Sequence, residues 1–389
     1  MHDAPNSPPA DDPSVTSSSA LNRRDFFQRT GLAWAGAALG GSLLGSADAR
    51  AQDREGYPVP NENSKQPPMT LTPLEERREK GQIPRRKFGK HDLWISAIGV
   101  GGFSIGGEKV PEQEGIAIVQ EAVDRGVNFF DNAWEYNKHV SEERMGKALA
   151  EGGRRDKVFL MTKVCTHGRD AQVGMQQLEE SLKRLRTDHL DLWQIHECVY
   201  WNDPERHFMK GGVIEALTKA KEQGKVRFVG FTGHKDPAIH LAMLAYDYPF
   251  DTCQLPLNVF DASFHSFEQR VLPELHRRGI LPIGMKSLNG NARAQQQHVV
   301  SVEEALGYAM SLPVLTTVSG MDTLPILREN LQVATDFQRY PAEKMAALRQ
   351  KFADNVASDG RFELYKTTND YEASEGRAQH GFPQQPVKA

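Results

Sequence analysis

The chain of 389 residues is 39% hydrophobic and 25% charged, a globular balance with enough apolar material for one large core. Its formal net charge is −4 and its lysines and arginines are spread along the chain, so there is no basic field of the kind that holds nucleic acid. Three cysteines, Cys165, Cys198 and Cys253, are too few and too scattered for a disulfide framework or a CxxC metal knuckle.

Residues 1–20 are polar and rich in Pro and Ser, and residues 58–70 are similar. Between them, Arg23-Arg24 precedes Phe26 and Phe27, a mildly apolar run broken by glycines, and two A-x-A sites ending at Ala49 and Ala51. Charge, apolar run and small-residue site in that order follow the plan of a secretory signal, and the arginine pair resembles the twin-arginine (Tat) type. The run falls short of the roughly 20 residues that a membrane span needs. The expectation is a cleaved signal peptide over 1–51, a linker over 52–84, the Tat translocase as a transient partner, periplasmic or otherwise exported residence, and no stable membrane span. That route is generally understood to move folded proteins, and a nucleotide bound before export fits it.

From Arg85, short β-rich runs alternate with amphipathic stretches, the pattern of βα units around a parallel sheet. Strands are predicted at 98–102, 127–132, 158–163, 190–196, 226–232, 252–257, 280–285 and 316–320. Helices are predicted at 112–125, 141–151, 171–186, 211–223, 236–246, 264–278, 301–311 and 324–337. Ser141, with Glu142 and Glu143 in a first turn, reads as a helix start, and Gly126, Gly224 and Gly279 sit where helices end and left-handed geometry is needed. Eight such units predict an α/β (β/α)8 TIM barrel over 85–340. A β-hairpin at 85–95, turning at Gly89, would plug its bottom, and a helix and tail over 341–389 could form a lid. An open doubly wound sheet fits less well, because no G-x-G-x-x-G joins the first strand to a helix.

Barrel chemistry sits at the C-terminal ends of the strands. There the second strand ends in FFDNAWEY, the third in MTK and the fourth in QIHE, so Asp131, Tyr136, Lys163 and His196 should converge. Lys163 follows an apolar run and must be solvated or paired, and Asp131 is a neighbour of the right sign. A lysine about 4 Å from a phenol interacts with it by about 4 kcal/mol at an effective dielectric near 20, enough to draw its pKa from about 10 toward neutrality. Tyr136 is then expected to be a proton donor, with His196 orienting a carbonyl. Flavin, haem and metal signatures do not occur, so a nicotinamide is the expected hydride source.

D-x-A-x-x-Y, T-K and a fourth-strand histidine, in this order, resemble the catalytic tetrad of the aldo-keto reductases, with Asn132 where Thr is common. The resemblance runs from about Arg85 to Thr335. It implies an extended NADP(H), or NAD, over the barrel mouth and a small-molecule carbonyl or alcohol substrate. Thr232 and Gln254 match nicotinamide contacts, whereas Gly233 replaces a usual Asn. Met285 stands where a Tyr or Trp often stacks on the nicotinamide, Lys286 beside it is expected to meet the pyrophosphate, and Ser287 is counted with the cofactor contacts. Glu329-Asn330 resembles the adenine contact, but Gly320, Met321 and Ile326 replace residues that commonly grip a 2′-phosphate, with Arg328 next door. Phe103, Trp134, Tyr200, Trp201 and Phe260 are expected to line the substrate pocket.

Two other classes fit parts of the sequence. A metal-dependent barrel hydrolase would use Cys165, His167, His196, Glu197 and Cys198, but it leaves Lys163 and Tyr136 without a role. A non-catalytic nucleotide-binding module would sense redox state through a partner.

Overall fold

The computed structural model describes residues 71–165, 170–353 and 360–368, all within one compact unit spanning 61–389. The signal peptide, most of the linker, His167, and the tail residues His380 and Phe382 lie outside the described residues.

Three short antiparallel strands open the described chain: β1 (Glu76–Arg77), β2 (Arg85–Lys87) and β3 (Trp94–Ser96). Eight parallel strands follow: β4 (Ile98–Gly101), β5 (Phe129–Asp131), β6 (Phe159–Val164), β7 (Leu190–Ile195), β8 (Val226–Thr232), β9 (Thr252–Pro256), β10 (Leu281–Met285) and β11 (Thr316–Gly320). They pair in sequence order, and β11 closes onto β4 to complete a (β/α)8 barrel. Every predicted strand is present with ends within two residues of expectation.

Side chains alternate across each strand, and the alternation builds two cores. Phe130, Leu160, Trp193 and Val229 face outward into the layer shared with the helices. Their neighbours Phe129, Phe159, Met161, Leu192 and Phe228 face inward and fill the lower barrel. The hairpin plugs this end: the Phe88 ring lies 4.4 Å from that of Phe228 and 5.4 Å from that of Phe159. Arg86, fully buried, fastens the hairpin by donating to the carbonyls of Met310 (2.6 Å) and Val314 (2.8 Å) and to Glu76 (3.0 Å).

Continued upward, the same period of two sends Asp131, Lys163, Gln194, Thr232, Gln254 and Met285 inward at the strand ends. Direct bonds across the lumen bear this out, since Gln254 Nε2 on β9 donates to Asp131 Oδ2 on β5 at 2.9 Å. The mouth is polar because the inward face changes character over the last two residues of each strand.

Glycines 126, 224 and 279 have φ of 93°, 70° and 71° and end helices as expected. Ser141 does not start one. The helix runs Val140–Leu149 from His139 without a side-chain cap, and the buried Ser141 hydroxyl accepts from Asn137 instead. The helix expected over 264–278 is split into Phe267–Arg270 and Leu272–Arg278, because Pro273 cannot supply the N–H that would continue it. A short helix at Asp203–Phe208 adds to the prediction. After the barrel, Ala342–Phe352 packs back through Phe352 on Phe260, and Leu364–Thr367 forms a single turn. Among the described residues, no helix is long and apolar enough to cross a membrane.

Candidate active site

The inward-facing ends of β5 and β6 place a lysine beneath a phenol. Lys163 Nζ, almost fully buried, forms an ion pair with Asp131. It also donates to the Asn132 carbonyl (2.7 Å) and to the Tyr136 hydroxyl (3.3 Å). On the far side of that hydroxyl, His196 Nε2 lies 3.4 Å away. The four expected residues therefore form one chain, Asp131, Lys163, Tyr136 and His196, at one mouth of the barrel.

Tyr136 is held by a strained turn. Asn137, Lys138 and His139 all have left-handed φ, at 51°, 55° and 76°, a conformation costly for side chains with a Cβ. Compensation comes from Asn137 Nδ2, which donates to the Phe103 carbonyl (2.7 Å) and to Ser141 Oγ (2.8 Å). His139 Nδ1 lies 2.6 Å from the Trp134 carbonyl. Phe103, 61% exposed, meets the Tyr136 ring edge-on at 5.4 Å.

The electrostatics correct the expectation of an acidified phenol. Burial first, then the carboxylates of Asp131, Glu197 and Glu135, hold Tyr136 well above the ordinary tyrosine value. The distance to Lys163 is as expected, but the charge of Lys163 is spent on Asp131, and burial pulls the lysine itself below its usual range. These surroundings favour the protonated phenol.

Sequence reasoning missed Glu135. Its carboxylate bonds to His196 Nδ1 through one oxygen, and its other oxygen accepts from Cys165 Sγ at 2.6 Å. A charge lying between Trp134 and Tyr136 was the available clue. Glu197 joins this side with φ 51° and lies 3.9 Å from His234 Nε2. Glu135, His196 and Glu197 have donor atoms within 4.8 Å of one another, a spacing that a metal ion accepts. That set shares His196 and Glu197 with the ligands expected of a metal site and has Glu135 in place of the cysteines. Cys165, Cys198 and Cys253 are buried and form no disulfide among the described residues.

The other side of the mouth is looser. Thr232 and Ser287 are buried, and the Thr232 hydroxyl lies 3.8 Å from Met285 Sδ. Gln254 leaves Oε1 buried without a partner, and both amide atoms of Asn289 are likewise orphaned. Lys286, with φ 56°, is lowered to about 8, chiefly by burial. Gly233 has no room for a side chain, since a Cβ there would lie 2.3 Å from the Cys198 carbonyl oxygen. Gly320 abuts Ser104 Oγ in the same manner, at 2.5 Å. Asn330 is buried and donates to Ser319 Oγ at 3.2 Å, while Glu329 is exposed.

Three expected residues, Arg328, Trp134 and Phe260, point elsewhere. Arg328 is engaged by Glu121 at 2.8 and 2.9 Å, an ion pair between neighbouring helices. Trp134 turns its indole N–H to Glu180 at 2.8 Å, because Arg184 and His139 offer its ring a charged and aromatic cradle. Tyr200 is buried, and Trp201 is half-buried against the core side chains. Phe260 is fully buried between Phe352 and Phe362.

From the tail, Tyr365 reaches the mouth. Its hydroxyl accepts from Asn258 Nδ2 at 2.8 Å, and its ring lies 6.1 Å from that of His234 and 5.5 Å from Lys286 Nζ. Lys366 anchors the segment in a buried pair with Asp261 (2.7 Å) and Glu363 (2.8 Å).

Fold and site together define a (β/α)8 barrel with a buried, hydrogen-bonded cluster of ionisable side chains at its C-terminal mouth. The Aldo/keto reductase family profile matches residues 97–298, and the chain belongs to that family. It is 32% identical over 189 residues to aldo-keto reductase YhdN of Bacillus subtilis, a match covering 46% of this chain and 54% of that one. The chain thus spans about half the length of that relative. The B. subtilis oxidoreductase YqkF is 26% identical over 311 residues, covering 70% of this chain and 97% of its own length. An aldo/keto reductase from Klebsiella pneumoniae, solved with NADP and acetate, superposes with a TM-score of 0.57 at 21% identity, covering 71% of this chain and 96% of that one.

Proposed function

We propose that the protein is a nicotinamide-dependent oxidoreductase that interconverts a small carbonyl compound and its alcohol. The observation that carries this reading is the Tyr136 hydroxyl set between Lys163 Nζ at 3.3 Å and His196 Nε2 at 3.4 Å. A carbonyl oxygen seated on that hydroxyl meets a protonated phenol on one side and an imidazole on the other, while Asp131 keeps Lys163 in place.

The residues fit a nicotinamide dinucleotide. Gln254 Oε1 is a buried acceptor without a partner, suited to a carboxamide N–H. Lys286 and the N-terminus of the helix Leu324–Asp336, which has no acidic residue in its first turn, suit phosphate. NADP is favoured, being the dinucleotide in the Klebsiella structure. When bound in reduced form it supplies hydride. Tyr136 supplies the proton, and its hydroxyl together with His196 aligns the oxygen. Phe103 offers the substrate an apolar face.

Residues 361–368 form one wall of the mouth through Tyr365, which supports a covering role for the tail. Removing them is expected to change KM. Export by the Tat route rests on Arg23-Arg24 and the A-x-A sites; N-terminal sequencing of the protein recovered from an envelope fraction tests it, with a mature start after Ala49 or Ala51 expected.

The enzymatic reading is tested by cofactor-oxidation kinetics on a panel of aldehydes, ketones and sugars, comparing the native protein with Tyr136→Phe. Loss of reduction with nucleotide binding intact is expected. Equal rates refute it.

A further inference from the structure

We propose that Glu135, His196 and Glu197 form a binding site for one divalent transition-metal ion of the zinc class, held through the ring nitrogen of His196 that does not face Tyr136. Such a site stands or falls apart from the oxidoreductase reading, since metal binding is measured without turnover. Glu135 lies on the loop after β5, and His196 and Glu197 directly follow β7. Two strand ends thus bring one imidazole and two carboxylates together, with one donor atom from each within 4.8 Å of the others. Around a tetrahedral zinc, bonds of about 2.0–2.2 Å place ligand atoms about 3.3–3.6 Å apart. Small side-chain rotations therefore close this set on an ion. The Glu135, His196 and Glu197 side chains are 18%, 8% and 15% exposed, unlike the solvated acidic residues that gather on a surface without a ligand.

The two ring nitrogens of His196 have separate tasks. Nε2 lies 3.4 Å from the Tyr136 hydroxyl, and Nδ1 is bonded to the Glu135 carboxylate. An ion enters at Nδ1, between imidazole and carboxylate, and leaves the Nε2 contact in place. A simple imidazole–carboxylate pair uses one carboxylate, whereas this cluster brings two to one ring. Zinc takes imidazole nitrogen and carboxylate oxygen alike and uses all three donors.

A second arrangement, separate from the three donors, points the same way. Side chains that bind metals are themselves held by outer partners. The second oxygen of Glu135 accepts from Cys165 Sγ at 2.6 Å, just past the end of β6. Glu197 lies 3.9 Å from His234 Nε2, beyond the end of β8. Both outer residues are buried, so each carboxylate is held from a neighbouring strand end. Three protein ligands leave a fourth position on the ion for water or a substrate oxygen, the coordination of catalytic zinc sites and not of structural ones.

Zinc chloride titrated into the chelator-treated full chain, followed by isothermal calorimetry, should give one site per chain and a Tm that rises with zinc concentration. Glu135→Gln and Glu197→Gln should each weaken the zinc Kd by at least about 10-fold, the least that loss of an outer partner costs. Cys165→Ser should weaken it less than either, since a serine hydroxyl also donates to Glu135. Cobalt(II) in place of zinc reads the native chain without any variant. It should give the visible ligand-field bands of a four-coordinate ion and no thiolate-to-cobalt charge-transfer band, because Cys165 holds Glu135 and does not bind the ion.

Three results overturn the proposal: no saturable one-to-one zinc binding by the native chain, native Kd in both glutamine variants, or a thiolate band with cobalt. A native chain that reduces carbonyls but does not bind zinc sinks this inference alone. Zinc binding together with normal turnover in Tyr136→Phe sinks the oxidoreductase reading alone.

Discussion

The two ends of the barrel solve opposite problems with the same strands. At the bottom, Phe88, Phe159 and Phe228 stack in an apolar plug, and Gly126, Gly224 and Gly279 turn the chain where left-handed backbone is needed. At the mouth, Asp131, Lys163 and His196 are almost fully buried charged or ionisable groups. Left-handed backbone there falls on His139, Glu197, Lys286, Asn289 and Ala292 as well as on Gly290. The bottom is mainly apolar, with the buried Arg86 and the left-handed Arg186 and Asp247 as its exceptions, whereas the mouth gathers several buried ionisable groups and left-handed residues together. Stability resides at one end and chemistry at the other.

The sharpest way to break that division is to exchange the signatures of the two ends. Tyr136→Phe should cut carbonyl reduction by about 10²–10⁴-fold, the usual worth of a placed general acid, with Tm and cofactor affinity unchanged in thermal melts and fluorescence titration. Phe88→Ala should do the reverse: about 3–5 kcal/mol of stability lost for an emptied aromatic site, read by denaturant unfolding, with kcat preserved in the fraction still folded. Within the mouth, Gln254→Ala should weaken cofactor binding by about tenfold, the worth of one buried hydrogen bond, while kcat changes less.

Lys286 gives a pH signature to the cofactor side. Its value in the folded protein, about 8, lies below the 10.5 of a free lysine. Above pH 8 it begins to lose its charge, so dinucleotide affinity should fall as pH rises through about 8, and isothermal titration at several pH values reads it. Between about 8 and 10.5 the unfolded chain binds the extra proton, so this residue's contribution to stability rises with pH over the same window. The smallest effects concern backbone alone. Gly279→Ala at φ 71° should destabilise by about 1 kcal/mol, and Ala292→Gly at φ 53° should stabilise slightly.

The same division explains what could be read in advance. Barrel strands were legible because runs such as VFLMTK and VRFVGFT are apolar on both faces and stop at polar residues. Asp131, Lys163 and His196 were legible because a fixed period of two carries them to the inward face. Glu135 was not, because its direction depends on the left-handed turn at 137–139, which no glycine announces. Trp134 was misjudged for the same reason: one residue along that loop, the side chain turns out to Glu180 instead of in to the substrate. Tyr365 arrives from the far end of the chain through the Lys366–Asp261 anchor, a tertiary contact that no local pattern encodes. The acidity of Tyr136 was misjudged because a pairwise argument assigned the Lys163 charge to the phenol, whereas Asp131 and Gln254 show the lysine already engaged in a buried network.

The central claim is that the Tyr136 hydroxyl delivers the proton to a carbonyl oxygen at this mouth. Single-turnover kinetics test it most directly, with native protein and Tyr136→Phe each preloaded with reduced nicotinamide dinucleotide, mixed with a reactive aldehyde and followed by loss of the cofactor's absorbance. The account predicts a fast decay in the native protein and one slower by at least about 10²-fold in the variant, both showing equal cofactor loading beforehand. Equal decay rates at equal loading would contradict it.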